Sequence, residues 1–193
     1  LYIRESLLLG TELFLFANRA RSLHQALTDS IDSLSDHHSS RLKQAARGFF
    51  KDYHAPTDLR IAKAMVPLFA QNVEKGFHPN FITSIEKDYQ GCFDEFLEEV
   101  YLTSIFTDST RLWEFLANPS NEVLENDLAF VVGQSIWDAY TEVMESLDDV
   151  NLLYKRGHRL YVAGLLEKNQ GKPTYPDANF TMRLSYGQVK SYY

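Results

Sequence analysis

Cysteine is almost missing from this sequence. Cys92 is alone among 193 residues, so neither an intrachain disulfide nor a cysteine-based zinc cluster can form. Positive charge is in deficit too. Lys and Arg number 19 against 26 Asp and Glu, giving a formal net charge of −7 and a sequence pI of about 5.3. Such a surface repels a polyanion, which argues against nucleic acid as a partner. The nearest basic cluster, Lys155, Arg156, His158 and Arg159, is short and broken by Gly157, so it makes no basic amphipathic helix for an anionic membrane. Long apolar runs are also lacking. The best, Leu7 to Ala17, is interrupted by Gly10, Thr11 and Glu12, far short of the roughly 20 residues that a membrane span needs. The opening Leu1-Tyr2-Ile3-Arg4 has no initiator Met, charged leader or capping residue, and Tyr192-Tyr193 stops inside an alternating segment. The chain therefore reads as a piece of a longer protein.

What is present is a core and a helical rhythm. Hydrophobic residues make up 45% and aromatic residues 13% of the chain, and this length buries roughly 70% of the surface its unfolded form exposes. Leu8, Leu13, Phe16, Leu23, Leu27, Ile31 and Leu34 recur at helical intervals. The polar stretch Ser33 to Ser40 is expected to break that run, with a short amphipathic segment after it around Leu42, Ala45, Ala46, Phe49 and Phe50. Leu59, Ala62, Val66, Phe69 and Val73 form one helix face, in which Pro67 is expected to kink or split the helix and Gly76 to end the segment. Pro79 suits a first turn. Phe93, Phe96, Leu97, Val100 and Tyr101 oppose Glu95, Glu98 and Glu99. Thr107-Asp108 and Asn118-Pro119 look like helix starts. The longest signal runs from Leu128 through Leu147 to Leu166, with a break expected at Asp148-Asp149.

After Lys168 the character changes. Asn169 to Pro176 is a loop by composition. Phe180, Met182, Leu184 and Tyr186 then alternate with polar residues at strand period, and Val189 to Tyr193 reads as the start of a partner strand. The expected fold is mainly α: an irregular multi-helix domain over residues 1–168, followed at 169–193 by a short β-hairpin-like appendage. An unpaired apolar strand of that kind is expected to pack back on the chain's own helices or to pair with a second copy as a homodimer.

No complete catalytic constellation stands out. Six histidines are scattered; His37-His38 lack HExxH-type spacing, adjacent side chains on a helix diverge by about 100°, and the pair reads as exposed loop histidines. Gly133-Gln134-Ser135-Ile136-Trp137 is close to a nucleophile elbow, but the closing glycine is missing and Ser135 lies in a helical pattern. It reads as a packing serine. The acidic pairs Asp94-Glu95, Glu98-Glu99 and Asp148-Asp149 lie opposite apolar stripes, where charge is solvated, and no calcium-loop spacing accompanies them. Trp113, Phe115, Trp137 and Tyr140 read as core aromatics. Asn179-Phe180-Thr181 fits the glycosylation triplet but falls in the expected strand. No catalytic, cofactor-binding or metal residue is assigned, and no cofactor is expected.

Two stretches say more. Leu160-Tyr161-Val162-Ala163-Gly164-Leu165-Leu166-Glu167 is one; the other runs from Tyr175-Pro176-Asp177-Ala178-Asn179-Phe180-Thr181 through Met182-Arg183-Leu184-Ser185-Tyr186-Gly187-Gln188-Val189-Lys190. Both closely resemble a segment of the bacterial dipeptidyl-peptidase 7 and dipeptidyl-peptidase 11 family. Gly10-Thr11-Glu12 and the long helix before Tyr161 extend the resemblance, more loosely, to the whole chain. The resemblance implies a chymotrypsin-like double β-barrel with a Ser-His-Asp triad and a helical domain inserted over its cleft. It also implies removal of dipeptides from the free N-termini of peptide substrates, in the periplasm or at the surface of a bacterium. The family's His and Asp then precede Leu1, and its Ser, in a Gly-Asn-Ser-Gly-Ser-Pro context, follows Tyr193. The chain itself becomes the helical cap with the first strands of the second barrel, which is its partner within the parent. Asp177 and Asn179 fall in the connector, where turn chemistry accounts for them. A helical protein-binding or scaffolding module with no enzymatic parent is the alternative, and a Gly-Asn-Ser-Gly-Ser-Pro motif downstream separates the two.

Overall fold

Most of the apolar stripes read from the sequence become helix faces. The computed structural model describes residues 2–172 and 187–191. A π-helical turn at Ile3–Leu8 leads into α1 (Glu12–Ala17), a 3-10 turn (Asn18–Ala20) and α2 (Arg21–Thr28). Then come α3 (Asp32–Asp52), α4 (Ala55–Asn72), α5 (Asn80–Asp88) and α6 (Phe93–Thr103). A 3-10 turn at Ile105–Thr107 precedes α7 (Ser109–Ala117), α8 (Asn121–Glu125) and α9 (Leu128–Ser146). The last helix is α10 (Asp148–Lys168). The chain divides into two units, Leu1–Ser146 and Leu147–Tyr193.

In the first unit α9 is the axis. It packs against the π-helical turn, α1, α5, α6 and α8, while α2 pairs with α3 and α4 with α6. Ala129, Phe130, Val132 and Ile136 are its buried face. They meet Leu13, Phe14 and Ala17 of α1 in one core that also takes Val66 and Phe69 of α4 and Leu97 and Val100 of α6. Gly133 lets α9 pass close to α1: a Cβ there would lie 3.0 Å from the Phe14 carbonyl oxygen and 3.3 Å from the Asn18 amide. On α6 the apolar face is buried as expected, with Glu95, Glu98 and Glu99 exposed. Cys92 is exposed where α6 begins. No described helix is long and apolar enough to cross a membrane.

Three expectations about breaks are corrected. Ser33 to Ser40 does not interrupt the helix; it is the first half of α3. The break lies earlier, at Asp29 to Ile31, where Ser30 takes φ 54°. There the Ser30 amide bonds to the Leu27 carbonyl at 3.2 Å and the Ile31 amide to the Ala26 carbonyl at 3.1 Å. That is the pairing of a Schellman terminus, which glycine normally signals and here serine supplies. A polar run with no Gly or Pro is no helix breaker, since Ser and His are only mildly unfavourable in a helix. Pro67 does not split α4; its missing donor forfeits one bond of a helix whose apolar face is buried. Gly76 ends nothing, because α4 stops at Asn72 and Gly76 sits in a separate 3-10 turn, Lys75–Phe77.

Other boundaries agree with the sequence. The Asp108 carboxylate accepts from the Arg111 amide at 3.0 Å and starts α7. Ser120, one residue past the expected Asn118-Pro119, caps α8. The break between α9 and α10 falls at Leu147, next to Asp148-Asp149.

The second unit is described through α10, whose described residues include no buried side chain. Val150, Leu153, Tyr154, Leu160 and Tyr161 are all exposed. The mainly α expectation holds, but no strand occurs among the described residues. The alternating stretch Phe180 to Tyr186 lies outside them. Gly187 to Ser191 is irregular, and Val189 is fully exposed with no ladder partner among the described residues, so the expected partner strand is not formed there.

Two of the helical glycines, Gly48 and Gly133, should respond oppositely to substitution. Gly48 in α3 has nothing within 4 Å of an added Cβ, so Gly48→Ala should stabilise by about 0.5–1 kcal/mol through helix propensity. Gly133→Val should cost about 1–3 kcal/mol through overpacking against the α1 backbone. Urea unfolding midpoints of the two variants check both signs.

Candidate functional site

Helices α1 and α5 each begin without a cap of their own. Thr11, before α1, spends its hydroxyl on the Leu7 carbonyl at 3.0 Å. The orphan amides of Glu12 and Leu13 donate instead to Asp58, at 2.8 and 3.0 Å, from α4. Tyr101 of α6 donates its hydroxyl to the same carboxylate at 2.7 Å. Asp58 is only 4% exposed, so one buried carboxylate ties α1, α4 and α6 together. Burial, and then the Asp58 charge, push the Tyr101 and Tyr53 phenols far above their ordinary range and keep both neutral. The Tyr53 hydroxyl is buried without a hydrogen-bond partner among the described residues.

Helix α5 is capped in the same way. The Pro79 ring carries no hydrogen-bonding group, and the Phe81 amide donates to the Ser135 hydroxyl of α9 at 3.1 Å. The serine of the elbow-like motif is thus an acceptor for another helix's backbone. No described histidine touches it. The packing reading of Ser135 agrees with this geometry.

A second buried carboxylate, Asp127, joins the start of α9 to the turn after α6. It accepts from the Phe130 amide at 2.9 Å, the Ile105 amide at 2.8 Å and the Ser104 hydroxyl at 3.1 Å. Burial lifts its carboxyl above the ordinary range, against the pull of those donors. Both carboxylates are occupied by donors, which suits them to holding helices rather than to passing protons to a substrate.

The remaining candidates are dispersed. His37 and His38 lie inside α3 rather than in the expected loop, with ring centroids 5.4 Å apart. No group of three His, Cys, Asp or Glu among the described residues could hold a metal ion. Lys63 pairs with Glu98 and, at 4.0 Å, with Asp94; Glu99 accepts from the Tyr89 hydroxyl at 2.8 Å. Asp148 and Asp149 lie exposed in the first turn of α10. Trp137 lies tilted against Tyr140 at 5.7 Å and under Arg21 at 5.4 Å, half-buried at the edge of the core. Phe115 is buried and Trp113 half-buried. Asp177 and Asn179 lie outside the described residues. The sequence reading missed Asp58 and Asp127, because their partners are set by packing.

Compared with known proteins, residues 1–193 match the model of the family described as Peptidase S46. The chain belongs to the peptidase S46 family. It is 37% identical over 146 residues to a dipeptidyl-peptidase 7 of Phocaeicola vulgatus, a match covering 74% of this chain and 20% of that protein. It is 32% identical over 172 residues to the dipeptidyl-peptidase 7 of Capnocytophaga gingivalis, covering 89% and 23%. An Asp/Glu-specific dipeptidyl-peptidase of Porphyromonas gingivalis is 30% identical over 142 residues, covering 74% and 20%. This S46 chain thus spans about a fifth to a quarter of the curated relatives it matches.

The two buried carboxylates give distinct tests. Asp58→Ala strands the Glu12 and Leu13 amides and should cost about 2–4 kcal/mol in urea unfolding, whereas Tyr101→Phe should cost about 1–1.5 kcal/mol. A loss under about 0.5 kcal/mol for Asp58→Ala would show that α1 needs no external cap. For Asp127 the folded pKa is raised. Between its unfolded and folded values the folded chain holds a proton that the unfolded chain lacks, so this group's stability falls as pH rises. Asp127→Asn removes that dependence. The wild-type minus variant difference in unfolding free energy should shrink as pH rises from about 4; a constant difference would contradict it.

Proposed function

We propose that this chain is the helical cap segment of a serine-type dipeptidyl-peptidase, a bacterial enzyme of the periplasm or cell surface that removes dipeptides from the N-termini of peptides. The observation that carries this is the family match over residues 1–193, taken with a span of only about a fifth to a quarter of relatives named as dipeptidyl-peptidases. Residues 1–168 are assigned to the cap and 169–193 to a connector entering the second β-barrel.

In the parent the reaction is acyl transfer. A serine hydroxyl outside this chain attacks the scissile carbonyl, a histidine takes its proton, and backbone donors hold the oxyanion. The cap's part is steric. Laid over a cleft, a helical body excludes water and stops a chain from extending past its N-terminal dipeptide. Such a lid must keep its shape. The carboxylates of Asp58 and Asp127 and the hydroxyl of Ser135, each holding the backbone of a different helix, support that reading.

The 193-residue chain alone should hydrolyse no fluorogenic dipeptidyl substrate, while the whole protein should release dipeptides from peptides with free N-termini and none from N-blocked ones. Turnover that co-purifies with the chain through several columns would overturn the non-catalytic assignment. Cleavage of N-blocked peptides by the whole protein would overturn the exopeptidase reading.

A further inference from the structure

Helix α3 runs antiparallel to the segment formed by α1, the following 3-10 turn and α2, and the two leave a groove between them. It consists of two contiguous hollows of about 350 and 310 Å³ that share Arg19 and Ala45 in their walls. On α3 the lining residues run from His38 to Phe49 at helical intervals, so at about 1.5 Å per residue the groove is about 16 Å long. Its two ends differ. One is apolar, with Leu15, Phe16 and Phe49 beside the open space over Gly48, and Glu12 at its mouth. The other gathers Arg19, His38 and Arg41 around the Ser22 hydroxyl.

The cationic end stands out in a chain of net charge −7. Arg19 and Arg41 are exposed and form no salt bridge with any described residue, while Arg4 and Arg21 do. Two permanent guanidinium charges converge on one hollow. That is complementary to carboxylates arriving from outside. A long polyanion is disfavoured by the acidic remainder of the surface, whereas a short acidic peptide meets only this end. Glu12 sets the polarity, repelling carboxylates from the apolar end.

We propose that this groove binds an acidic peptide segment, an apolar side chain seated over Gly48 and carboxylate side chains held by Arg19 and Arg41. Spacing follows from geometry. Gly48 and Arg41 are separated by about 10 Å along α3, which an extended chain at about 3.3 Å per residue covers in about three residues. The segment therefore has an aromatic or large aliphatic residue and an Asp or Glu about three positions apart. The inference uses only residues 12–49 and stands whether or not the chain caps a peptidase.

The test is fluorescence anisotropy of the 193-residue chain with an N-terminally labelled, C-terminally amidated Phe-Gly-Ser-Asp-Glu peptide and with its reverse, Glu-Asp-Ser-Gly-Phe, since either direction meets the spacing. Saturable binding should weaken at least about tenfold for Phe-Gly-Ser-Asn-Gln and for Ala-Gly-Ser-Asp-Glu, and also as salt rises from about 50 to about 500 mM. Arg41→Glu should weaken it at least about tenfold, and Arg47→Glu, an exposed α3 site outside the groove, less than about twofold. Gly48→Leu fills the groove from a position where a Cβ meets nothing, and better helix propensity keeps α3 folded. It too should weaken binding at least about tenfold. The proposal fails if the Asn-Gln peptide binds as well, if Arg41→Glu and Arg47→Glu behave alike, or if anisotropy stays flat in both directions up to about 1 mM. It also fails if sedimentation shows a dimer of the chain that Gly48→Leu dissociates, since the groove's occupant is then a second copy.

Discussion

The Asp58 carboxylate decides how the start of the chain is held. Helix α1 has six residues, four of them buried, and a helix that short does not persist in water on propensity. Its first amides are fixed by a carboxylate 46 positions along the sequence, and the same carboxylate takes the Tyr101 hydroxyl from α6. A carboxylate so deeply buried costs several kcal/mol to desolvate unless donors surround it. Here they do, and the arrangement works only when three helices arrive together. With α1 in place, Phe14 and Ala17 fill the core opposite Gly133, and α9 can pass close enough for Ser135 to reach the start of α5. Local order in this unit is thus a product of tertiary packing, not its cause.

That division explains what could be read in advance. Stripes such as Val66 and Phe69, or Leu97, Val100 and Tyr101, declared their faces because burial follows helical period. Asp108 declared a helix start because its own helix uses it. Asp58 declared nothing and Ser135 only that it packs, since a polar residue inside an amphipathic pattern gives no sign of serving another helix's backbone. The turn at Ser30 was hidden for a related reason: the left-handed residue is not glycine, so the polar run after it attracted the break instead. Composition was a poorer guide there than geometry.

Site and family were legible to different degrees. The resemblance rested on Leu160 to Glu167 and on Tyr175 to Lys190, and the family match over the chain agrees with it. Those stretches are not where the described chemistry lies. The charged groove between α1, α2 and α3 is assembled from side chains of two antiparallel helical stripes, Arg19 on one and Arg41 on the other. Residues 18–28 and 37–51 each carry basic residues and no Asp or Glu, but only the fold brings Arg19 and Arg41 to one hollow.

Cys92 has a practical consequence. It is the chain's sole cysteine, and its thiol is exposed at the start of α6. Thiol-directed chemistry therefore has one address on this chain, with no engineered background required. A dye or spin label placed there sits close in sequence to Asp94 and Glu98, the carboxylates that hold Lys63. The natural sequence thus carries its own spectroscopic reporter on the contact between α4 and α6, the same two helices that Asp58 and Tyr101 join from the buried side.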